Sequence, residues 1–361
     1  MGNREFDTQV VCRDPKFAKL SEDFVLIRMS HMRGVDIALF DFDYNENWMG
    51  MFLDADGRVY ARYGSVDPDT RVSHNNADGL THTMEAVLEI HKKEMAKERP
   101  AYKPPAAFRP EDIPAMPVYA KNSCIECHMV QTARNAQVQK DNKFARDSFW
   151  MYPPPANVGI KLDHKQGNVI DEITADSFAA AAGLKAGDVV LQANDQRVLS
   201  DADFRYVLNK LEAKSVLSIE AERDGKAMKF ELKLDGDWRR VSPVRQRAFQ
   251  NYIRTKNDFP QWIFHPLKTD EKKKLEITED GLAIRLAASK NPNLKGGTLK
   301  GAFEDAGFKD EDVIIAFDGD RKDHYPRMPQ YYLYIEHKSG DKVEVLFLRD
   351  GKEQKTTLVV P

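Results

Sequence analysis

The first hundred residues alternate between short apolar runs and one long amphipathic segment. Phe24-Val-Leu-Ile-Arg-Met29 is an almost continuous apolar run, which predicts a central strand buried on both faces. Trp48–Leu53 and Arg58–Tyr63 flank Asp54-Ala-Asp-Gly57, whose residues suit a tight turn. These two stretches therefore predict a β-hairpin.

Residues 78–96 carry apolar side chains at helical spacing. One face of the predicted helix would hold Leu80, Met84, Val87, Leu88, His91 and Met95. The order of strand, hairpin and helix resembles the C-terminal half of a thioredoxin fold. Residues 1–97 are therefore predicted to be an N-terminally incomplete thioredoxin-like domain, whose first strand and dithiol-bearing helix would precede Met1.

Proline interrupts the pattern after this helix. Residues 98–122 are predicted to be an extended linker, because they contain Pro100, Pro104, Pro105, Pro110, Pro114 and Pro117. Residues 123–153 form a separate short segment, in which the polar stretch Met129–Asp141 is predicted to be helical.

Residues 154–237 have the pattern of a PDZ domain of the bacterial, circularly permuted kind. Val158-Gly-Ile-Lys-Leu162 resembles a carboxylate-binding loop that runs into a peptide-pairing strand. Ser200 is placed to cap a helix with an apolar inner side formed by Phe204, Val207, Leu208 and Leu211. Such a domain binds an extended C-terminal peptide by strand addition, so Val158, Gly159 and Ile160 are the predicted peptide-binding residues.

The last ninety residues repeat this pattern. Glu304–Asp312 and the following Val313-Ile-Ile parallel the turn and strand around Asp188, and Lys342–Lys352 parallels Ser215–Gly225. Residues 271–361 are therefore predicted to be a second PDZ-like domain, joined by a connector of residues 238–270. Gly281-Leu282 stands where its binding loop is expected, and the insert Pro292–Gly297 departs from the usual pattern.

Composition fits this multidomain interpretation, an α/β part followed by two mainly-β modules. The chain has 361 residues, 42% of them hydrophobic, and a net charge of −3, which indicates no large basic surface for nucleic acid. No apolar run reaches the ~18–20 residues that span a membrane. The N-terminus has neither the charged nor the apolar region of a signal peptide.

Cys124-Ile-Glu-Cys-His128 reads C-x-x-C-H, the attachment signature of a c-type haem. Two thiols at this spacing can each bond one vinyl group of a porphyrin, and His128 then supplies an axial nitrogen to the iron. A zinc site and a bare dithiol are the alternatives. Because haem is normally attached outside the cytoplasm, a covalent haem c predicts a periplasmic or otherwise extracytoplasmic protein whose leader is missing from this sequence.

Two further questions accompany the haem prediction. The second axial ligand is not fixed by the pattern, and its weak candidates are His91, Met95, Met129, Met151 and His164. Cys12 is the remaining cysteine, a candidate reactive thiol with a buried or incidental cysteine as the alternative.

Several segments in a fixed order resemble a bacterial family of thioredoxin-like/PDZ proteins, some members of which are selenoproteins. They are Asp14–Phe24, Met32–Asp36, Phe40–Tyr44, Phe52–Gly57, Cys124–His128, Trp150–Pro153 and both PDZ-like modules. The resemblance implies a Cys-x-x-Cys or Cys-x-x-selenocysteine pair just upstream of Arg4–Asp7. This sequence has no such pair.

The leading hypothesis is an extracytoplasmic, single-haem c-type cytochrome that exchanges electrons with a redox partner docked on the PDZ modules. Two alternatives stay open. The first is a non-enzymatic PDZ scaffold that binds peptides. The second is a thiol-disulfide oxidoreductase whose dithiol lies upstream of Met1.

Overall fold

The structure is a computed structural model that describes residues 14–46, 48–66, 74–97, 101–143, 145–241, 248, 262–288, 298–324 and 329–360. The chain forms two compact units. The first comprises Met1–Gln137 and Trp150–Val241, and the second comprises Val138–Phe149 and Ser242–Pro361. Cys12 and the insert Pro292–Gly297 lie outside the described residues.

The first unit begins with a small helical and hairpin region. Its elements are α1 (Pro15–Ser21), β1 (Gly50–Leu53), β2 (Val59–Tyr63), α2 (Ala77–Met95), α3 (Met116–Ala120) and α4 (Cys127–Lys140), which runs past the end of the unit. The antiparallel β1–β2 pair confirms the predicted hairpin. The 19-residue helix α2 confirms the predicted helix, and its apolar face buries Leu80, Met84 and Val87.

The predicted central strand Phe24–Met29 is wrong. Residues 25–29 belong to no helix or strand, and Val25 and Ile27 are 90% and 82% exposed. Only Phe24 packs inward, with its ring 5.8 Å from that of Phe52. A buried strand needs neighbours on both edges, and among the described residues the β1–β2 pair is the only sheet of this region.

The predicted linker is only partly extended. Residues 101–109 have no regular structure, as the prolines predict. The second half instead folds into a 3₁₀ turn, Pro110–Asp112, and the short helix α3. Ile113 and Met116 are buried against Ile125 and Val130 of the following segment, because these apolar side chains outweigh the extended preference of the prolines.

The PDZ region completes the first unit. Its elements are β3 (Ile160–Leu162), β4 (Ile170–Ile173), α5 (Phe178–Ala182), β5 (Val189–Ala193), β6 (Gln196–Arg197), α6 (Asp201–Asn209), β7 (Ser215–Arg223) and β8 (Lys226–Leu234). Strands β3 and β4 form one antiparallel pair, and the other four form a sheet of order β6-β5-β7-β8. Both sheets and helix α6 bury one apolar core, which includes Ile160, Leu162, Phe204 and Leu208.

The second unit has a single five-stranded sheet of order β13-β12-β11-β10-β9. Its elements are β9 (Trp262–Pro266), α7 (Thr269–Lys274), β10 (Ile284–Ala288), α8 (Thr298–Asp305), β11 (Val313–Phe317), α9 (Pro329–Glu336), β12 (Lys342–Arg349) and β13 (Lys352–Val359). Strand β9 pairs with all of β10, so the predicted connector 238–270 contributes an edge strand to this unit.

This pairing also corrects the predicted second binding loop. Gly281 forms a bridge with Lys322, and the Leu282 N–H donates to the Arg321 carbonyl. Gly281-Leu282 therefore lies between α7 and β10, where its backbone is already paired, rather than in front of an open edge strand.

The predicted internal repeat is visible in matched contacts. In the first unit Arg223 donates to both oxygens of Asp188, at 2.6 and 2.7 Å, and to the Gly183 carbonyl. In the second unit Arg349 donates to both oxygens of Asp312, at 2.8 and 2.6 Å, and to the Gly307 carbonyl. The two units therefore share one local framework. No helix in the described part of the chain is both long and apolar enough to cross a membrane.

Candidate peptide-binding site

The loop before β3 is held by local geometry. Pro155–Val158 form a 3₁₀ turn, and the Gly159 N–H donates back to the Ala156 and Pro155 carbonyls. Gly159 has φ +90°, and a Cβ there would lie 2.0 Å from the Ser177 Oγ. Only glycine fits this position, because it accepts the left-handed conformation and leaves room for the Ser177 side chain.

One edge of β3 makes no backbone hydrogen bond in the described part of the chain. The Thr174 N–H donates to the Gly159 carbonyl, and the Asp163 N–H donates to the Val169 carbonyl, so residues 159 and 163 face β4. Because backbone groups alternate along a strand, the N–H and C=O groups of Ile160 and Leu162 face the opposite way. Ile160 and Leu162 are only 1% and 2% exposed, so this unpaired edge, which follows directly after the predicted carboxylate loop, is covered in the structure.

Helix α6 packs beside the loop and supplies the second wall. Ser200 accepts hydrogen bonds from the N–H groups of Ala202 and Asp203, which confirms the predicted N-cap. Phe204 and Leu208 are fully buried in the core that they share with Ile160. The structure thus packs the predicted apolar face of the helix against β3, whose residue Ile160 the sequence assigned to the peptide site.

Sequence reasoning missed a buried charge network on the other side of α6. Asp201 accepts hydrogen bonds from the Arg205 guanidinium and, at 2.7 Å, from the Ser65 hydroxyl. Its second oxygen lies 3.7 Å from the His74 Nε2. Arg205 also donates to the Val66 carbonyl at 3.2 Å. Ser65, Val66 and His74 precede α2 in the sequence and lie outside the PDZ motif, so no local pattern pointed to them.

The carboxyl groups around Arg205 differ in the net direction of their pKa shifts. Burial opposes ionisation of Asp201, but Arg205 and His74 outweigh it and hold its pKa down to about 2. Burial, with the Asp43 charge nearby, raises the pKa of Glu46 to about 8 although Arg205 opposes the shift. Burial likewise raises the pKa of Asp203 to about 7 against the effect of Arg62. The positive charge of Arg205 is therefore balanced mainly by the Asp201 carboxylate.

The far end of β3 meets the first turn of α2. Asn76 donates from Nδ2 to the His164 carbonyl at 2.8 Å and accepts from the Gly79 N–H through Oδ1 at 2.8 Å. The rings of His74 and His164 stack with centroids 4.4 Å apart. His164, a candidate axial ligand, thus packs against the segment that leads into α2.

The near end of the site meets the chain that follows the PDZ domain. Asn157 donates from Nδ2 to the carbonyls of Trp238 and Arg240, both at 2.7 Å. Arg239 is buried and donates to the carbonyls of Leu208, Leu211 and Trp150. The start of the predicted connector is therefore packed on the domain, because its arginines satisfy the carbonyls at the C-terminal end of α6.

The C-x-x-C-H segment lies at the start of helix α4. Cys124 is exposed, Cys127 is partly buried, and burial raises the pKa of the Cys127 thiol. Ile125 is fully buried. The side chain of His128 is 10% exposed and its Nδ1 lies 3.3 Å from Glu126 Oε2. Iron ligation by His128 stays a prediction.

The other candidate ligands belong to different surroundings. His91 Nδ1 lies 3.0 Å from the Tyr60 hydroxyl, Met95 is 59% exposed, and Met129 is partly buried beside α3. Met151 is partly buried next to Trp150 in the sequence. Among the described residues no group of three or more His, Cys, Asp or Glu side chains is arranged to hold a metal ion, which disfavours the zinc alternative.

Comparisons with known proteins point to the PDZ region. Residues 156–234 match the family model of the PDZ domain. A probable periplasmic serine endoprotease DegP-like from Pseudomonas savastanoi pv. phaseolicola is 37% identical over 93 residues, 26% of this chain and 17% of that protein. The corresponding protein from Marinomonas sp. is 31% identical over 161 residues, 44% of this chain and 30% of that protein. The matches thus span less than a third of either relative.

A solved structure, the PDZ domain of EpsC from Vibrio cholerae, residues 204-305, covers 31% of this chain and 91% of its own length. Its identity is 18% and its TM-score is 0.19.

These findings correct the classification as a redox protein. The matching family and relatives are PDZ domains and PDZ-bearing proteases, so the expected c-type cytochrome, electron-transfer and thioredoxin-like assignments are wrong. The PDZ prediction for residues 154–237 is confirmed by the match to 156–234. The relatives named above are periplasmic proteins, which supports the predicted extracytoplasmic location. Covalent attachment of haem itself stays a prediction.

Proposed function

We propose that this chain is an extracytoplasmic adaptor whose first PDZ domain binds the C-terminal tail of a partner protein. The unpaired edge of β3 carries this proposal, because the N–H and C=O groups of Ile160 and Leu162 have no partner among the described residues and follow directly after the loop that resembles a carboxylate site. Since these residues are 1% and 2% exposed, a bound tail must displace the side chains that cover them. PDZ domains use such an edge for strand addition, in which main-chain hydrogen bonds supply affinity and side-chain pockets supply specificity. The periplasmic relatives support the compartment.

Proteolysis is not part of this proposal. The names of the relatives describe serine endoproteases, but the similarity covers only 17% and 30% of their lengths. The sequence shows no G-x-S-x-G elbow, and the matching family describes a binding domain.

A structural role is the second candidate, and one observation favours it. Helix α6 contacts Arg62, Ser65 and Val66 through Asp201, Asp203 and Arg205, a set of three residues that are all nearly inaccessible. A domain used only as the core of the first unit needs this packing and no ligand. A measurement of peptide binding therefore distinguishes the adaptor function from the purely structural role.

The test uses the full chain and an array of octapeptides with randomised C-terminal residues and a free carboxylate. We expect a subset to bind, and we expect the best sequence to lose at least tenfold in affinity when its carboxylate is amidated. N-methylation of the peptide nitrogen two residues before the C-terminus should weaken binding similarly, since it removes a strand hydrogen bond. If no peptide binds in a carboxylate-dependent way, the structural role is favoured instead.

The double variant Cys124→Ser, Cys127→Ser is the matched control for the redox alternatives. Both cysteines lie outside the loop, β3 and α6, so peptide affinity should stay within twofold of the unaltered protein. A large loss of affinity in this variant would contradict a binding function that is independent of the C-x-x-C-H segment.

A further inference from the structure

One exposed apolar run of the first unit lies between two anchored residues. Phe24 packs its ring 5.8 Å from the ring of Phe52, and the Met32 N–H donates to the Ile125 carbonyl at 2.7 Å. Between these two anchors every residue is exposed. The exposed fractions of the large apolar side chains are 90% for Val25, 62% for Leu26, 82% for Ile27 and 47% for Met29. Four large apolar side chains in five consecutive positions therefore face solvent.

The backbone of this run is unpaired as well. Residues 25–29 contain no turn or bend. In the described part of the chain, the N–H and C=O groups of Val25, Ile27 and Met29 have no hydrogen-bond partner. Valine and isoleucine favour strands, and an unpaired strand with apolar side chains is a template for pairing with another chain. The run thus has the composition of a strand that lacks its neighbour.

The sequence of the run fits a second copy of itself in antiparallel orientation. A two-fold axis at Ile27 places Val25 of one copy opposite Met29 of the other. Because side chains alternate between the two faces of a strand, this register joins the apolar side chains at positions 25, 27 and 29 of both copies on one face. A shift by one residue in either direction would instead bring Arg28 of the second copy onto that face.

The charged and polar residues that flank the run agree with the same register. Asp23 and His31 are equally distant from Ile27 in the sequence, so the two-fold axis brings each of them opposite the other. Both are exposed, and neither side chain forms a hydrogen bond or an ion pair in the described part of the chain. The pairing therefore offers Asp23 an imidazole partner at both ends of the run and places no two like charges directly opposite each other.

We propose that Val25–Met29 is a self-association strand, through which two copies of this chain form a two-fold symmetric, antiparallel strand pair. This inference is independent of the proposed peptide binding, because the run lies outside the PDZ domain. A stable protein–protein interface uses about 20–30 residues on each side, whereas this run supplies five. We therefore expect a weak dimer, with a dissociation constant of about 10–100 μM.

Sedimentation velocity of the full chain between about 1 and 300 μM tests the proposal. We expect a concentration-dependent shift from monomer to dimer, and Ile27→Asp should raise the dissociation constant at least tenfold. Because Ile27 is exposed, this substitution leaves the core untouched, and the circular dichroism spectrum should not change. A chain that stays monomeric at every concentration would overturn the proposal, and so would an Ile27→Asp variant that dimerises like the unaltered protein.

Val118→Asp is the matched control. Val118 is a 79% exposed apolar residue of α3, in the same unit but outside the run. The dissociation constant of this variant should stay within twofold of that of the unaltered protein. A loss equal to that of Ile27→Asp would assign the association to exposed apolar side chains in general and reject the strand pair.

Cysteine pairing tests the register, in a background in which the three native cysteines are replaced by serine. Under copper-phenanthroline oxidation, Ile27→Cys should link to itself, because directly opposite residues lie about 5 Å apart. Val25→Cys should not link to itself, because its two copies lie four residues apart along the pair, about 13 Å. A mixture of Val25→Cys and Met29→Cys should give the linked dimer. Self-linkage of Val25→Cys as efficient as that of Ile27→Cys would reject the antiparallel pair.

Discussion

The two PDZ-like copies share a framework and differ around the peptide site. Each copy holds an aspartate against an arginine from a later strand, Asp188 with Arg223 and Asp312 with Arg349. Each also has an aspartate or asparagine in the left-handed conformation after its central strand, Asn194 in the first copy and Asp318 in the second. Both side chains accept a hydrogen bond from the neighbouring strand.

The helices that follow these turns have different surroundings. In the first copy, α6 carries Asp201, Asp203 and Arg205 into a buried network with Arg62, Ser65 and Val66. In the second copy, α9 reads PQYYLYIE and buries Tyr331, Leu333 and Ile335. The framework repeats because its contacts are made inside each copy. The helix surroundings differ because outside residues form a buried charge network with α6, whereas Arg146 makes only a surface ion pair with Glu336 of α9.

The largest expected effect comes from breaking the network that distinguishes the first copy. Asp201→Ala leaves the buried Arg205 guanidinium without its main partner, and we expect it to destabilise the first unit by about 3–5 kcal/mol. Urea unfolding followed by fluorescence of the buried Trp150 and Trp238 measures this loss. A loss under about 1 kcal/mol would show that other groups compensate Arg205.

A matched pair of substitutions tests the shared framework. Arg223→Met and Arg349→Met keep the aliphatic part of each side chain but remove both charged hydrogen bonds to a buried aspartate. We expect each to cost about 1.5–3 kcal/mol, in its own unit only, and the two costs to agree within about 0.5 kcal/mol. Chemical denaturation of the two variants checks this equality. Clearly unequal costs would mean that the repeated geometry has different energetic roles in the two copies.

The third expected effect is a pH dependence within the first unit. Glu46 has its pKa raised from 4.5 to about 8 by burial, so between these values the folded chain keeps a proton that the unfolded chain releases. This group therefore lowers stability as pH rises, by up to about 1.4 kcal/mol per pH unit, and its penalty is absent below pH 4.5. Glu46→Gln keeps an acceptor for the Val66 N–H and removes this slope.

The check is the free energy of unfolding at pH 5.5, 6.5 and 7.5 for both proteins. Glu46→Gln should become progressively more stable than the unaltered protein as pH rises. Glu231→Gln, at an exposed position of β8, is the control and should leave the slope unchanged. Parallel curves for Glu46→Gln and the unaltered protein would contradict a buried, protonated Glu46.

Short sequence patterns predicted the elements that are stabilised by contacts between residues close together in the chain. The hairpin β1–β2, helix α2 and the Ser200 cap were all readable from turn residues, apolar spacing and capping residues. Phe24–Met29 failed because a continuous apolar run indicates burial only if partner strands exist, and here most of the run is exposed. The prediction of a connector over residues 238–270 was incomplete for the opposite reason. Its polar residues gave no indication that Arg239 is buried or that the segment contains strand β9.

The C-x-x-C-H motif illustrates a different limit. The spacing of the two cysteines and the histidine indicates only which chemistry is possible. In the structure the His128 imidazole is largely buried beside Glu126. Relatives of the PDZ region then favoured the binding alternative over the cytochrome. A short motif therefore carried less information about function than the domain pattern over 79 residues did.

The sequence by itself determined the PDZ framework, its loop at Val158–Ile160 and its internal repeat, because these depend on residues close together in the chain or on a pattern that recurs. Only the tertiary structure decided which surfaces meet. It showed that one edge of β3 stays unpaired, that Ser65 and Val66 contact Asp201 and Arg205, and that Asn76 reaches His164 across 88 positions. Such contacts depend on the packing of distant segments, and no local spacing encodes them.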